Sequence, residues 1–355
     1  MPIKYLGSKR RLVNVLGALF SGAGGGRALD LFTGTTRVAQ EFKRRGGLVT
    51  AVDRARYAHL FAQSAIATDA TTIDLDALER EITELNALPP EPGYVTKTFC
   101  EDARFFRPEN GARIDTIRTA IDARRDHPHF PILLTSLIEA ADRVDSTTGV
   151  QMAYLKQWAP RAHNRLTLRV PDLLAGPGTA IRGDAVEIAP TLGPFDFAYL
   201  DPPYNQHRYE ANYHVWETLV AWDDPEPYGI ARKRLELSDR ARTSAFNRRR
   251  QMPVALQACI DTVDARVIVV SYNDESWIEL EALIDMCRPR GAVEVLAFDS
   301  KRYVGAQIGG FNPAGTRVGT ATHLRNTEYV IVCGDASSVE GATAALGQHE
   351  PTNHT

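Results

Sequence analysis

Short apolar runs bounded by turn residues recur along this chain, and such runs are typical of buried β-strands. They cover residues 27–32, 48–52, 196–200, 266–272, 292–298 and 328–333. Between the first two runs, Val38, Ala39 and Phe42 share one face of a helix that is predicted over residues 37–45. Strands that alternate with helices favour an α/β fold, so we expect a doubly wound, Rossmann-like sheet.

The middle of the chain has a helical period instead of short apolar runs. Leu75, Leu78, Ile82 and Leu85 form one apolar stripe of a helix that is predicted over residues 74–88. Further elements predicted there are helices over residues 114–125, 131–144 and 148–158 and a short strand over residues 166–170.

The change of pattern predicts the domain organisation. We expect a helical insertion over residues 71–178, which interrupts a catalytic domain formed by residues 1–70 and 179–335. The glycine-rich residues 301–326 are predicted to form a long loop. The last residues, 336–355, are small and polar, which predicts a disordered tail.

Composition limits the classes of protein to which the chain can belong. Its 355 residues are 44% hydrophobic and 24% charged, enough for one large or two modest globular domains. The four cysteines and nine histidines show no spacing typical of a disulfide framework or a metal site, and we expect a cytoplasmic protein. No apolar stretch is long enough to cross a bilayer, and residues 11–20 are predicted to form a helix, not a signal peptide.

The predicted strand over residues 196–200 leads directly into Asp201, Pro202, Pro203 and Tyr204. A carboxylate and a backbone carbonyl that accept both N–H bonds of an exocyclic amino group draw its nitrogen towards a nucleophilic, tetrahedral form. The prolines fix φ and so orient the Pro202 carbonyl, and Tyr204 offers a flat face for a base. Because ligands of open α/β sheets bind at the carboxyl ends of strands, this reading is favoured over an ordinary loop.

A second candidate site follows the first predicted strand. The turn there contains one glycine, Gly34, and Asp53 lies about 20 positions further on, a spacing at which an acidic residue can accept ribose hydroxyls. The turn lacks the G-x-G-x-x-G pattern of a phosphate cradle, so a nucleoside cofactor without phosphates, such as S-adenosylmethionine, fits better. On these residues alone, a purely structural strand–helix–strand unit remains an equal alternative.

Three blocks together resemble the Dam-type DNA adenine methyltransferases, whose catalytic motif is D-P-P-Y. The blocks are Lys4-Tyr5-Leu6-Gly7-Ser8-Lys9, Asp30-Leu31-Phe32-Thr33-Gly34-Thr35 and Asp201-Pro202-Pro203-Tyr204. Residues 267–273 give a fourth, weaker match. The resemblance covers residues 1–60 and 180–335, and the predicted insertion lies where this family has its target recognition domain.

The resemblance implies transfer of a methyl group from S-adenosylmethionine to the 6-amino group of adenine in double-stranded DNA. It implies that Asp201, Pro202, Pro203 and Tyr204 are catalytic. The residues that it assigns to the cofactor are Tyr5, Lys9, Asp30, Phe32, Gly34, Asp53, Asp184 and Asp201. For Asp184, an ordinary surface turn is an equal alternative. The family usually has a second glycine where this chain has Thr36, and threonine would be strained there if the position needs a positive φ.

DNA contacts are expected beside the catalytic loop, although the net charge of −3 argues against indiscriminate nucleic-acid binding. Residues 229–250 are rich in arginine, which indicates either a solvated face or a surface that grips phosphates. The residues that we expect to contact DNA are Asn205, His207, Tyr209, Arg248, Arg249 and Arg250. A smaller basic group consists of Arg161, Arg165 and Arg169.

Two other functions remain open from the sequence. D-P-P-Y also occurs in methyltransferases that act on amino groups of RNA guanine or DNA cytosine, but the N-terminal block argues against them. A catalytically idle DNA-binding subunit would be consistent with Thr36, but the intact catalytic block argues against it. The recognition sequence, the oligomeric state and a cognate restriction endonuclease as partner are left open.

Overall fold

The computed structural model describes residues 3–5, 7, 9–203, 206, 208–239, 241, 243–274, 276–301 and 325–348. The chain forms two compact units. Unit 1 comprises Met1–Val13, Thr33–Asp184 and His207–Thr243, and unit 2 comprises Asn14–Phe32, Ala185–Gln206 and Ser244–Thr355. Both units combine helices with parallel strands, so the predicted α/β class is confirmed.

The strands and helices of the described residues are as follows. The strands are β1 (Arg27–Asp30), β2 (Leu48–Asp53), β3 (Gly178–Arg182), β4 (Phe195–Leu200), β5 (Pro227–Tyr228), β6 (Lys233–Arg234), β7 (Ala265–Asn273), β8 (Ala292–Lys301) and β9 (Arg325–Gly334). The helices are α1 (Val13–Gly22), α2 (Arg37–Arg44), α3 (Arg56–Ala62), α4 (Leu75–Ala87), α5 (Pro108–Asp122), α6 (Phe130–Val144), α7 (Ala185–Ile188), α8 (Tyr209–Asn212), α9 (His214–Ala221), α10 (Met252–Thr262), α11 (Leu280–Cys287) and α12 (Ala336–Ala344).

Unit 2 holds five strands in the order β1-β4-β7-β9-β8. β1, β4 and β7 are parallel, and β9 is antiparallel to both β7 and β8. Residues 197–200 and 267–270 are at most 1% exposed. Strands buried on both faces need apolar residues at every position, which is why these two read as continuous apolar runs. The carboxyl ends of β1 and β4 therefore lie side by side, where the D-P-P-Y loop begins.

Unit 1 joins the parallel pair β2 and β3 to a helical core. Helices α3, α6 and α9 contact one another around it. Tyr57, Phe61, Leu133 and Leu137 are fully buried there, and Trp216 is 2% exposed. Burial of each such side chain stabilises the fold by about 1.5–3 kcal/mol. The predicted insertion over residues 71–178 thus shares its core with α3 and α9 and belongs to the same compact unit as residues 33–70.

Several predicted elements are confirmed with shifts of one or two residues. Helix α2 matches the helix predicted over residues 37–45. Helix α4 matches the one predicted over residues 74–88, and Asp74 is its N-cap, because the carboxylate accepts the Ala77 N–H at 3.0 Å. Helix α1 begins at Val13, two residues later than predicted. None of the helices in the described part of the chain is long and apolar enough to span a membrane.

The helix predicted over residues 148–158 is wrong. This segment forms turns whose backbone groups bond to distant partners. The Gln151 N–H donates to the Asn212 carbonyl at 2.7 Å, and the Leu155 N–H donates to the Ser146 carbonyl at 3.0 Å. These bonds replace the i to i−4 bonds that a helix would need.

The strand predicted over residues 166–170 is wrong as well. The segment is not part of a sheet, because side chains satisfy its backbone instead. The Leu166 N–H donates to Asn110 Oδ1 and the Leu168 N–H to Asn86 Oδ1, both at 2.9 Å. Leu166 and Leu168 are buried, so the alternation of apolar residues is real although no neighbouring strand exists there among the described residues.

The predicted disordered tail is wrong over its first half. Residues 336–344 form α12, and Asp335 is its N-cap, because its carboxylate accepts the Ser338 N–H at 3.0 Å. Residues 345–348 continue as a 3₁₀ helix. A Cβ added to Gly341 would lie 2.8 Å from the Gly22 carbonyl oxygen, so small residues let α12 approach the end of α1 closely. Residues 349–355 of that tail and residues 302–324 of the predicted loop lie outside the described residues.

Candidate active site

Asp53 ends β2, and two backbone N–H groups hold its carboxylate. The Gly34 N–H donates to Oδ2 and the Ala55 N–H donates to Oδ1, both at 2.9 Å. A carboxylate offers about four acceptor positions, so these backbone donors leave acceptor capacity for a ligand. Burial raises the pKa of Asp53 to about 6, against the lowering effect of these two donors. The group is therefore mainly ionised at neutral pH.

Tyr5 packs over Gly34. A Cβ added to Gly34 would lie 3.2 Å from the Tyr5 hydroxyl oxygen, so a larger residue would displace the tyrosine. The Tyr5 hydroxyl lies 3.1 Å from that of Tyr57. Burial raises the pKa of both tyrosines well above the usual value, so both hydroxyls stay protonated.

An aromatic stack supports Tyr5 from the segment that follows the catalytic loop. The ring centroids of Tyr209 and Tyr213 lie 5.4 and 4.8 Å from that of Tyr5. Tyr213 in turn stacks on Trp216 at 4.6 Å. Offset stacking adds about 0.5–1.5 kcal/mol per pair beyond burial. Tyr209, which the sequence predicts to contact DNA, is thus also part of the support of Tyr5.

Thr36 precedes α2 with φ 62° and ψ 10°, so the left-handed conformation expected at the family's second glycine is present with threonine in place. The residue is fully buried. Its N–H donates to the Thr33 carbonyl at 2.7 Å, and its carbonyl accepts the Gln40 N–H at 2.7 Å. These bonds hold the turn in the conformation that a glycine would adopt without strain.

Asp201 follows β4 at the carboxyl edge of the unit 2 sheet. Parallel ladders fix β4 on both sides, with Tyr199 opposite Asp30 on β1 and opposite Val269 on β7. The buried Tyr199 hydroxyl donates to Ser271 Oγ at 2.9 Å. Pro202 is buried, and Asp201 is half-buried. The first residues of the catalytic loop therefore leave a rigid strand with the proline anchored.

Asp30 and Phe32 lie at the neighbouring strand end. The Leu31 N–H donates to the Tyr199 carbonyl at 3.0 Å, which extends the ladder by one residue. Asp30 is only 1% exposed. Phe32 meets Phe246 edge to face, with ring centroids 4.9 Å apart. Unit 2 thus brings together three of the predicted site residues, Asp30, Phe32 and Asp201.

The other predicted site residues are placed as follows. Lys9 is buried, and its carbonyl accepts the N–H groups of Leu12 and Val13 at the start of α1. Asp184 is half-buried just after β3, and the preceding Gly183 N–H donates to the Asp53 carbonyl at 3.1 Å. Tyr204, Asn205 and His207 lie outside the described residues.

The basic residues separate into two kinds. Arg249 and Arg250 are exposed, and Arg248 is half-buried. Arg234 is 2% exposed and donates to both Asp223 oxygens at 2.8 and 2.6 Å, so it is a structural residue of unit 1. Arg161 is likewise held by Asp145, at 2.7 Å. A count of charges along the sequence cannot distinguish these cases.

A charged cavity of about 120 Å³ in unit 1 was not expected from the sequence. Five arginines and three glutamates line it, drawn from four separate segments of the chain. Arg54 pairs with Glu210 at 3.6 Å, and Arg56 pairs with Glu217 at 3.6 Å. Burial raises the pKa of Glu217 to about 7. The sequence hints at this cavity only through Arg54 and Arg56, which lie one and three residues after Asp53.

The sequence matches the D12 class N6 adenine-specific DNA methyltransferases over residues 5–286. The chain belongs to this family. It is therefore an adenine-specific DNA methyltransferase that uses S-adenosylmethionine, as the resemblance predicts. Its substrate is DNA, and the fold class is that of a Rossmann-like methyltransferase. The alternatives of a different target base and of an idle subunit are not supported.

Named relatives are methyltransferases too. The chain is 28% identical to the Type II methyltransferase M.NlaIII of Neisseria lactamica, over 85% of this chain and 92% of that protein. It is 28% identical to M.FokI of Planomicrobium okeanokoites and 29% identical to M.CviAII of Paramecium bursaria Chlorella virus 1. Those alignments cover 75% and 60% of this chain but only 43% and 64% of the relatives.

Among solved structures, the chain is similar to a precorrin 8w decarboxylase of Methanobacterium thermoautotrophicum. The identity is 13%, the TM-score is 0.29, and the match covers 91% of this chain and 90% of that one. A TM-score this low carries no argument about the fold.

Proposed function

We propose that this methyltransferase modifies adenine within one specific sequence of double-stranded DNA, and that Asp201 and the Pro202 carbonyl orient the amino group. The observation that carries the proposal is the position of Asp201-Pro202, at the end of a strand fixed by ladders on both sides. Acceptors on rigid supports need no reorganisation during the reaction, which is the condition for electrostatic catalysis.

The chemistry of unit 1 fits a nucleoside cofactor. Asp53 keeps acceptor capacity for ribose hydroxyls, and Gly34 leaves space under Tyr5 that a Cβ would occupy. We assign Asp184 to the adenine ring of the cofactor and Lys9 to the residues that line it. Asp30, Phe32 and Gly34 are assigned to the loop under its methionine part. When bound, S-adenosylmethionine supplies a methyl group on a sulfonium, which is the electrophile.

The enzyme's own groups prepare the nucleophile. The target adenine leaves the duplex, at a cost of a few kcal/mol for unstacking, and Tyr204 stacks on it. Asp201 accepts one N–H of the amino group and the Pro202 carbonyl accepts the other, which draws the nitrogen lone pair out of conjugation. No strong general base is needed, because the amino proton becomes acidic only as the new C–N bond forms, and it then leaves through the Asp201 carboxylate to solvent.

The proposal also assigns the residues that contact DNA and the system in which the enzyme acts. We assign the target recognition role to residues 71–178, and phosphate contacts to Arg248, Arg249 and Arg250, with Asn205, His207 and Tyr209 at the base-binding rim. The relatives include proteins named Type II methyltransferases and modification methylases. We therefore assign the enzyme to a cytoplasmic restriction-modification system, in which a cognate endonuclease cuts the same sequence when it is unmethylated.

Single-molecule sequencing of DNA from cells that express the chain tests the proposal, because it identifies the modified base and its sequence context together. We expect N6-methyladenine at one motif with the wild type and none with Asp201→Ala. Asp285→Ala, which changes an exposed acid on α11, is the matched control and should retain methylation. Methylated cytosine, or adenine methylation without any motif, would contradict the proposal.

A further inference from the structure

Three potential metal ligands from two separate segments of the chain meet in unit 1. Glu81 projects from α4, and His127 and His129 lie just before α6. One ligand atom from each lies within 4.8 Å of the other two. Glu81 Oε1 is 3.2 Å from His129 Nδ1 and 3.9 Å from His127 Nε2. The sequence shows only a His-x-His pair, so the third ligand becomes visible only in the fold.

These separations are close to those around a tetrahedral metal ion. Zn²⁺ binds histidine nitrogens and carboxylate oxygens at about 2.0–2.2 Å, so two neighbouring ligand atoms are roughly 3.3–3.5 Å apart. Glu81 and His129 already have this spacing. His127 Nε2, at 3.9 Å from Glu81 Oε1, has to move closer to complete the set.

The environment of Glu81 also favours a cation. Its Oε2 is buried and has no hydrogen-bond partner among the described residues. A buried carboxylate oxygen without a partner is unfavourable, and a cation bound to the same carboxylate offsets part of that penalty. The side chains of Glu81 and His129 are 20% and 9% exposed, so packing restricts their positions. The side chain of His127 is 44% exposed. The exposed side provides an entry path and room for a water ligand.

Two contacts have to change when a metal binds. The first is the 3.2 Å hydrogen bond between His129 Nδ1 and Glu81 Oε1, because both of these atoms become ligands. The second contact involves His127. The His129 N–H now donates to His127 Nδ1 at 3.3 Å. A neutral histidine that binds a metal through Nε2 carries its hydrogen on Nδ1, so Nδ1 can no longer accept. The contact is long and the ring is exposed, so a small rotation of His127 opens it and moves Nε2.

We propose that Glu81, His127 and His129 bind one divalent transition-metal ion of the Zn²⁺ type, with water as the fourth ligand. Two imidazole nitrogens and one carboxylate suit Zn²⁺, Co²⁺ or Ni²⁺, whereas Mg²⁺ prefers oxygen ligands. The ion ties α4 to the turn before α6 and so braces the helical segment of unit 1.

Calorimetric titration of the untagged full chain with Zn²⁺ tests the proposal, after removal of metal with a chelator. We expect one equivalent of Zn²⁺ to bind, Mg²⁺ to give no heat, and Zn²⁺ to raise the unfolding midpoint. His127→Asn and Glu81→Gln should each weaken binding by more than roughly tenfold, because even the loss of a group that merely orients a ligand costs 10–100-fold. His163→Asn changes another exposed histidine of unit 1 and is the matched control.

The variants distinguish binding at this site from binding elsewhere on the protein. His127 is exposed, so its variant should fold, which circular dichroism without metal can verify. Absence of stoichiometric Zn²⁺ binding to the wild type overturns the proposal. Unchanged affinity in both variants, or an equal loss in His163→Asn, also overturns it, because the ion would then bind elsewhere. Loss in the two variants with an unchanged control supports it, and the absorption spectrum with Co²⁺ then reports the coordination number.

Discussion

The Thr36 hydroxyl accepts a 2.8 Å hydrogen bond from the side-chain amide of Gln40, one turn further along α2. Both residues are buried. The left-handed conformation of Thr36 costs about 1–2 kcal/mol. The hydrogen bond contributes about 1 kcal/mol, and burial of the methyl group contributes about 0.8 kcal/mol. The two contributions are similar to the strain, which explains how threonine occupies a position that favours glycine.

Thr36→Gly should therefore change the free energy of unfolding by less than about 1 kcal/mol, since relief of strain offsets the lost contacts. S-adenosylmethionine affinity should stay equal, because the backbone already has the conformation of a glycine. Thr36→Ala keeps the strain and loses both contacts, so we expect it to be destabilised by about 2 kcal/mol. Urea unfolding and calorimetry measure the two quantities. A clear loss of affinity in the glycine variant would show that the hydroxyl itself serves the cofactor loop.

Asp53→Ala should weaken S-adenosylmethionine binding by about 1.5–3 kcal/mol, the range for hydrogen bonds to a charged group. Lys9→Ala should weaken it as well. Calorimetry of both variants checks this, with Asp172→Ala as a control elsewhere in unit 1. Unchanged dissociation constants in both would mean that the N-terminal blocks are purely structural.

Asp53 also predicts a pH dependence with opposite signs for binding and stability. Its pKa in the folded protein is about 6, above the ordinary 3.8. The folded state therefore binds this proton more tightly than the unfolded chain, and the contribution of Asp53 to stability rises as pH falls from 6 towards 3.8. Cofactor affinity should fall over the same window, because the protonated group loses acceptor capacity. Asp53→Asn should remove both dependences; a wild-type affinity that is flat there would contradict the assignment.

The sequence predicts the placement of those site residues whose position depends only on residue type and on the strand that precedes them. Asp53, Gly34 and Asp201 are positioned by the strands that precede them, so their placement follows from local pattern. Prediction from the sequence fails where residues far away in the chain determine the local structure. Residues 166–170 alternate like a strand, but Asn86 and Asn110 satisfy their backbone instead of a neighbouring strand.

The pattern of charges along the sequence does not predict which basic residues are exposed, because distant partners determine this too. Arg234 belongs to a basic run in the sequence, yet Asp223 and Glu236 hold it inside unit 1. Similarly, Glu81 and His129 are brought together only by the packing of the helical segment. Local periodicity carries no information on such pairs, because each depends on contacts between segments that lie dozens of residues apart.

Asp201→Ala should abolish methylation while the protein stays folded. The residue is half-buried at a strand end and is assigned to the amino group of the substrate, so its loss removes one of two acceptors and the charge. Asp201→Asn should keep a small activity, because an amide oxygen still accepts one hydrogen bond. Transfer of a tritiated methyl group to DNA measures both, and thermal unfolding checks the fold. Substantial turnover by the alanine variant would rule out the catalytic assignment.

Replacing Arg248, Arg249 and Arg250 together by glutamine should weaken DNA binding at low salt and flatten its dependence on salt. Arg249 and Arg250 are exposed beside Phe246, which packs on the predicted site residue Phe32. Each lost phosphate contact should reduce the log–log slope by about 0.9. Sequence preference should survive, because phosphate contacts position the duplex without reading bases.

A salt titration on cognate and random duplexes measures these slopes, and Arg288→Gln, which removes one exposed charge elsewhere in unit 2, is the control. If the triple variant and the wild type have the same slope, the arginines form only a solvated face. The phosphate contacts would then have to come from other exposed cations. Arg165 and Arg169 are the next candidates, whereas Arg161 is excluded by its ion pair with Asp145.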